Sequence, residues 1–299
     1  MKQRRCPVCD ADETRPHWTK GALQLAQCQR CTMVYAHKMD PALASGEFYD
    51  RLGASYYLSP DKLQSDYAPV RFARELRLFR HWCKQGEVLD VGCSTGAFLF
   101  HLQRAGAYRV TGSDVADAAL THAQSQGIEV LRGPFLDFDF GERRFDAVTF
   151  WAVWEHLAEP KLFLRRAAEL LRPGGFCFAL VPNFRSLAIR VLGVKYRYVM
   201  PDHVNYFTDT TLRALVATQP AFELVTRHST HFNPFVIAQD WRSNMERVPD
   251  EQRARLLRQT TALKQNPWLA PLRWLHSGTE KLLGTVGLAD NLVIVLRRK

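Results

Sequence analysis

The stretch EVLDVGCSTGAF, from Glu87 to Phe98, decides the fold. Its first six residues form a short apolar strand that ends on Gly92. A helix follows almost at once, with Thr95 as its candidate cap and Gly106 as its stop. Gly92 and Gly96 let the backbone between them pass close to a ligand with no Cβ in the way. The first N–H groups of the helix have no intrahelical partner, so they point at whatever occupies the loop. Asp90, at the strand end, stands where it can meet a cationic amine.

Downstream of Phe98 the alternation of strand and helix continues. RVTGSD (109–114), IEVLRG (128–133), FDAVTFWAV (145–153) and GGFCFALVP (174–182) read as further strands. The helices between them stop at Gly127 and run from Pro160 to Arg172, and Pro173-Gly174-Gly175 turns the chain. Thr208 caps a helix through Leu212, Leu215 and Val216. FELVTRH (222–228) and NLVIVLRR (291–298) are the last strands. On the other side, Phe72, Leu76 and Phe79 mark a helix ending near Gly86, with Pro69 in its first turn. This order predicts an α/β fold with a mostly parallel sheet and helices on both faces. Between the last two strands lies an insertion at about 240–288, far longer than a hairpin needs. It holds two expected helices, around 250–264 and 268–284, the second with an apolar stripe at Leu269, Leu272 and Leu275.

In such sheets a ligand sits beyond the carboxyl ends of the strands, where strand order reverses. Asp114 ends the second strand and is suited to the two hydroxyls of a ribose. A dinucleotide fingerprint, Gly-x-Gly-x-x-Gly, would fall on Gly92, Ser94 and Ala97, a poor match. The string resembles instead the acid-x-Gly-x-x-x-Gly motif of class I S-adenosylmethionine (SAM)-dependent methyltransferases, as Asp90, Gly92 and Gly96. VTGSD, RFDAVTFWAVWEHLAEP, LLRPGGFCFALVPN and PDHVNYFTDTTLRAL resemble later motifs of that family in the same order. The resemblance implies a seven-stranded Rossmann-like sheet with an antiparallel last strand. It implies that Asp90, Gly92, Cys93, Ser94 and Gly96 hold the methionine part of SAM, Cys93 through its carbonyl. Asp114 would hold the ribose, Phe135 and Leu136 the adenine, and Trp151 would stand beside the cofactor. Many members have an acid where this chain has Pro134, and Asp137 is the nearest substitute.

Methyl transfer from a sulfonium is an in-line displacement, so the protein positions the acceptor and, for a hydroxyl, removes a proton. The loop after the fourth strand supplies Trp151, Trp154, Glu155 and His156, and His203, Asn205 and Tyr206 could fold over it. His203 or His156 is the expected base, with Glu155 beside it. The alternative is structural: Glu155 and His156 cap the following helix or tie down its loop. Ubiquinone-type and small-RNA O-methyltransferases carry Glu-x-x-Glu-His here and bind a divalent metal. Ala152 replaces the first glutamate, so a catalytic metal is not expected. No Asp/Asn-Pro-Pro-aromatic string and no Pro-Cys pair is present, which disfavours base methylation by those routes.

Residues 1–40 are a separate module. Cys6-x-x-Cys9 and Cys28-x-x-Cys31 fit a four-cysteine zinc site, and with all four positions thiolate the zinc is structural. The module resembles the zinc ribbons found before some methyltransferase domains. Residues 41–86 read as a connector and helix, and 87–299 as the SAM-binding domain. No apolar run spans a membrane and the start lacks a signal peptide, so a cytoplasmic location with reduced cysteines is expected.

The net charge of +10 is uneven. Residues 185–200 carry Arg185, Arg190, Lys195 and Arg197 with no acid, and residues 241–299 carry eleven bases against five acids. The first group, interleaved with Tyr196 and Tyr198, suits an acceptor bearing phosphate or carboxylate. The leading expectation is therefore SAM-dependent O-methylation of a small, anionic or carrier-linked metabolite. An RNA methyltransferase gripping RNA through its ribbon and basic tail is the first alternative, and a non-catalytic SAM-binding scaffold the second. WLAPLRWLHSGTEKLL has the composition of an interfacial helix, which leaves peripheral membrane contact open beside a helical lid or dimer contact.

Overall fold

The computed structural model describes residues 4–39, 42–43, 47–52, 56–243 and 248–299. Parts of the 41–60 connector and of the start of the insertion lie outside that set. Eleven strands are described: β1 (Thr14–Lys20), β2 (Leu23–Cys28), β3 (Val34–Ala36), β4 (Gly86–Val91), β5 (Tyr108–Asp114), β6 (Glu129–Arg132), β7 (Phe145–Trp151), β8 (Leu171–Pro182), β9 (Asn205–Tyr206), β10 (Phe222–Thr230) and β11 (Asn291–Arg298). Seven of them form one sheet in the order β10-β11-β8-β7-β4-β5-β6. Only β11 runs antiparallel to its neighbours, as the motif order implies. The central strands β4, β7 and β8 are apolar on both faces because helices cover both, and Leu89, Val148 and Phe178 are fully buried. β4 lies between β5 and β7, so the chain reverses direction across the sheet at the end of β4.

Four local expectations are corrected. The helix after β4 is Ala97–Gln103, and its cap is Gly96, which has no side chain to offer; Thr95 lies one residue too early. Ala73–Trp82 begins after Pro69, which stands in the preceding turn. Pro173-Gly174-Gly175 does not separate the helix from the strand: the helix ends at Leu170 and β8 already begins at Leu171. Phe145 pairs with Leu171 and Ala147 with Phe176, so the tripeptide is an irregularity inside β8. The span read as a connector is partly helical, at Glu47–Leu52 and Pro60–Asp66. By contrast Thr208 caps Asp209–Ala217 through a reciprocal bond with Thr211.

The N-terminal module is not a bead on a string. Its strands form a second sheet, β1-β2-β3-β9, whose last member comes from the far end of the sequence. Val34 pairs with Tyr206 and Tyr35 with Asn205. Cys6, Val8, Cys28, Met33 and Tyr35 belong to the same apolar cluster as Leu89, Phe150 and Trp154 of the main sheet. Removing the module would expose that cluster to water.

The insertion joins β10 to β11, which pair from Thr230–Asn291 onward. It contains the two expected helices, at Asp250–Gln265 and Ala270–Thr285, and a third, Pro234–Arg242, whose cap Asn233 accepts from the N–H groups of Phe235 and Val236. Asp250–Gln265 packs on Pro60–Asp66, with Arg258 paired to Asp61 at 3.2 Å.

Candidate active site

A cavity of about 580 Å³ opens at the carboxyl ends of β4, β5 and β7. One half is the loop after β4. Gly92, Ser94 and Gly96 take left-handed backbone angles, φ 73°, 50° and 77°. A Cβ on Gly92 would stand 2.6 Å from Val153 Cγ2, so glycine is required for space as well as for angle. Gly112 on β5 is needed for close approach: its Cβ would meet Cys93 Sγ at 2.5 Å. The Cys93 thiol therefore packs inward, burial holds it well above its ordinary value, and its carbonyl accepts from the Gly96 N–H at 2.9 Å. It is no nucleophile.

Two carboxylates organise this half. Asp90 is buried and accepts from Thr149 Oγ1 at 2.6 Å; burial pushes it up to about 7, with Asp114 adding and Thr149 opposing. Asp114 accepts from the N–H groups of Ser94, Val115 and Ala116 at 2.7, 2.7 and 3.0 Å. Ser94 Oγ, Ser113 Oγ and Trp151 Nε1 are buried without a hydrogen-bond partner among the described residues. Such atoms are costly unless a ligand satisfies them, so a polar cofactor fits this half of the cavity. Phe135 lines it and is buried, whereas Leu136 and Asp137 are exposed and lie away from it. The adenine contact expected of Leu136, and the substitute acid expected of Asp137, are therefore not placed at the cavity.

The other half collects residues far apart in sequence. Trp154–His156 form a single 3₁₀ turn, and the cap of the next helix, Pro160–Leu170, is Glu159. Glu155 and His156 thus do not cap that helix. His156 Nδ1 lies 2.8 Å from the carbonyl oxygen of Asp202. A carbonyl only accepts, so Nδ1 carries the proton and Nε2 keeps its lone pair. The His203 ring stands edge-on to His156, centroids 4.7 Å apart. Burial lowers both histidines, His203 the more strongly, and burial pushes Glu155 up to about 8. Glu155, His156 and His203 bring one oxygen and two ring nitrogens within 4.8 Å of one another, while Ala152, at φ 59°, offers no ligand.

The basic stretch before His203 does not behave as its charge suggests. Arg185, Arg190 and Lys195 are exposed and lie away from the cavity. Arg197 lines it but is held by fully buried Asp240, at 3.0 and 2.7 Å from Nε and Nη2. The cavity's other cations include Arg71, ahead of the first sheet helix and 3.4 Å from Asp66, and Arg253 of the insertion, 3.1 Å from the half-buried Asp250, with Lys62, Arg74 and Lys264 also on its wall. Arg253 lies over the Tyr56 ring at 5.0 Å, and Arg71 over Phe72 at 4.9 Å. Tyr49, Tyr57 and Tyr198 complete the wall. Tyr49 and Tyr57 come from the connector and Tyr198 from the basic stretch; nothing in the sequence marked Arg71 or Arg253.

The four cysteine sulfurs of the ribbon also lie within 4.8 Å of one another, with Cys6–Cys31 at 3.3 Å and Cys9–Cys28 at 3.5 Å. Ligands about 2.3 Å from a tetrahedral zinc are about 3.8 Å apart, so the set fits. The two knuckles match: Asp10 and Thr32 donate their N–H to Cys6 and Cys28, each at 3.0 Å and each with φ near 60° (60° and 65°).

A family model described as a methyltransferase domain matches residues 62–224. The ubiquinone biosynthesis O-methyltransferase of Caulobacter vibrioides is 34% identical over 147 residues, covering 44% of this chain and 58% of the relative. The enzyme of the same name from Azorhizobium caulinodans is 34% identical over 169 residues, covering 50% and 66%. The chain thus spans little more than half the length of the first of these curated relatives. A crystal structure from Thermotoga maritima, described as a SAM-dependent methyltransferase and possible histamine N-methyltransferase, superimposes with a TM-score of 0.53 at 16% identity, covering 85% of this chain and 96% of that one. At that identity the likeness is one of fold.

Proposed function

We propose, on the premise that the chain belongs to the class I SAM-dependent methyltransferases, that it methylates an oxygen of a small anionic metabolite. The observation that carries this reading is the division of one cavity into two halves. The half with Asp90, Ser94 and Asp114 fits the cofactor. The half with His156, His203, Arg71 and Arg253 has a neutral imidazole lone pair and two guanidinium groups. The named activity of the ubiquinone relatives supports oxygen as the target.

SAM, when bound, supplies an activated methyl group; the chain's own residues do the rest. Asp90 would hold the methionine ammonium, and Asp114 the ribose. His156 accepts the acceptor's proton on Nε2, its ring held by the Asp202 carbonyl. Arg71 and Arg253 bind the acceptor's anionic group. Cys6, Cys9, Cys28 and Cys31 hold a structural zinc. Glu155, His156 and His203 also form a donor set for a divalent cation, the second reading of this half of the cavity.

Incubating cell extract with isotopically labelled SAM and the purified protein should label a metabolite, identified by mass spectrometry as an anion. Arg253→Ala should raise its KM about tenfold or more with little change in SAM affinity. A labelled neutral acceptor, or labelling confined to RNA, would sink the anionic reading. Asp90 gives a separate check. A cation placed beside a carboxyl poised near 7 favours its charged form, so SAM binding at pH 6 should release a proton. Calorimetry in two buffers of different ionisation enthalpy would then give different heats. Equal heats would remove Asp90 from the ammonium site.

A further inference from the structure

The helix Ala270–Thr285 is amphipathic the wrong way round. Its inner face is polar: Glu280 is buried and paired to Arg74, and His276 meets the Phe232 carbonyl at 2.8 Å. Gly284 lies against β10 so closely that a Cβ would come within 2.7 Å of the Ser229 oxygen. The outer face is apolar. Trp268, just ahead of the helix, and Leu272, Leu275, Leu282 and Val286 recur at helical spacing, and the first three are 89%, 63% and 71% exposed. Trp274 flanks the row, also exposed. A row of that size on the solvent side marks a contact with something.

Charge selects the occupant. Between Gln252 and Asp290 the chain has six basic residues and two acids, Glu280 and Asp290, and both acids are buried. Arg255 and Lys281 are exposed, as is Arg258 beside its partner Asp61. No negative side chain in this stretch therefore meets solvent. An apolar row with tryptophans, in a stretch whose exposed Arg255 and Lys281 face no exposed acid of the same stretch, is complementary to the surface of a bilayer containing anionic lipids. No helix among the described residues is long and apolar enough to cross a membrane, so the helix would lie in the interface. The family match ends at residue 224, ahead of this element.

We propose that Ala270–Thr285 docks the protein on an anionic bilayer surface, its outer row buried among the headgroups while its inner residues His276 and Glu280 wall the cavity. The docking does not depend on which acceptor is used.

Flotation of the full chain with phosphatidylcholine vesicles, with and without phosphatidylglycerol, tests it. Co-flotation is expected with the anionic vesicles, weakened by salt, and reduced about tenfold or more by Leu272→Asp with Leu275→Asp. SAM affinity and melting temperature should be unchanged in that variant, since neither leucine lines the cavity. Should the double variant misfold, Trp274→Ser reads the same face. Three results would overturn the proposal: no co-flotation of the wild type, equal binding by a folded variant, or a wild-type dimer that the variant converts to monomer.

Discussion

Cys28→Ser should release the zinc, lower the melting temperature, and cut turnover more than tenfold while leaving SAM affinity within about threefold. The unequal losses follow from what the ribbon touches. Arg4 donates to the carbonyls of Ala158 at 2.7 Å and Val204 at 3.2 Å, and to Asn205 Oδ1 at 3.1 Å. Asn205 in turn donates to the carbonyls of Trp154 and Leu157 at 2.8 and 2.7 Å, and the Val204 N–H to that of Glu155 at 2.7 Å. Lys20 ties down the Val199 carbonyl at 2.8 Å. The segments carrying His156 and His203 are thus clamped together by the ribbon and by β3–β9 pairing. A structural zinc in small peptides is worth about 10–16 kcal/mol of folding, so its loss should unfold the knuckles and slacken the clamp. Among the described residues the loop from Asp90 to Gly96 has no such bond to the ribbon and should keep its affinity. Metal analysis of the wild type should give about one zinc per chain. A Cys28→Ser protein that retains zinc and full turnover would end both the ligand assignment and the clamp.

This coupling also shows where the sequence could be read and where it could not. The loop after β4 was legible because it is local: the strand, the two glycines and the helix are contiguous, and Asp114 follows one strand later. The cysteine pairs were legible because a metal site imposes spacing. What escaped is set by contacts between distant segments. Asn205–Tyr206 completes a sheet begun by Thr14–Lys20, and no pattern in two residues announces a strand. Arg197 looked like an anion-binding residue until Asp240, forty-three positions on, neutralised it. Arg253 enters the cavity only because its helix packs on Pro60–Asp66. Net charge along a stretch does not reveal which charges already have partners, because partners are chosen in three dimensions.

His156→Asn should lower kcat by about 10²–10⁴-fold, the range for loss of a general base, with little change in SAM affinity. Asparagine is the discriminating substitution. Its Nδ2 can replace Nδ1 as donor to the Asp202 carbonyl, so the loop stays tied down, but it has no basic nitrogen to replace Nε2. If the histidine merely ties the loop, the variant keeps its rate and the base assignment fails. The pH profile gives an independent reading. Burial lowers the His156 pKa from 6.5, so the ring stays neutral to a lower pH and the acid limb of kcat/KM should lie below 6.5. The same shift bears on stability. The unfolded chain binds the proton more readily, so this contribution to stability is present above 6.5 and lost as pH falls through the folded value. Melting temperatures measured at each pH separate inactivation from unfolding. Added Mg²⁺ or Mn²⁺ tests the second reading of the site: a base needs neither ion. A cation held by Glu155, His156 and His203 would make turnover depend on one of them, and Glu155→Gln would then abolish that dependence.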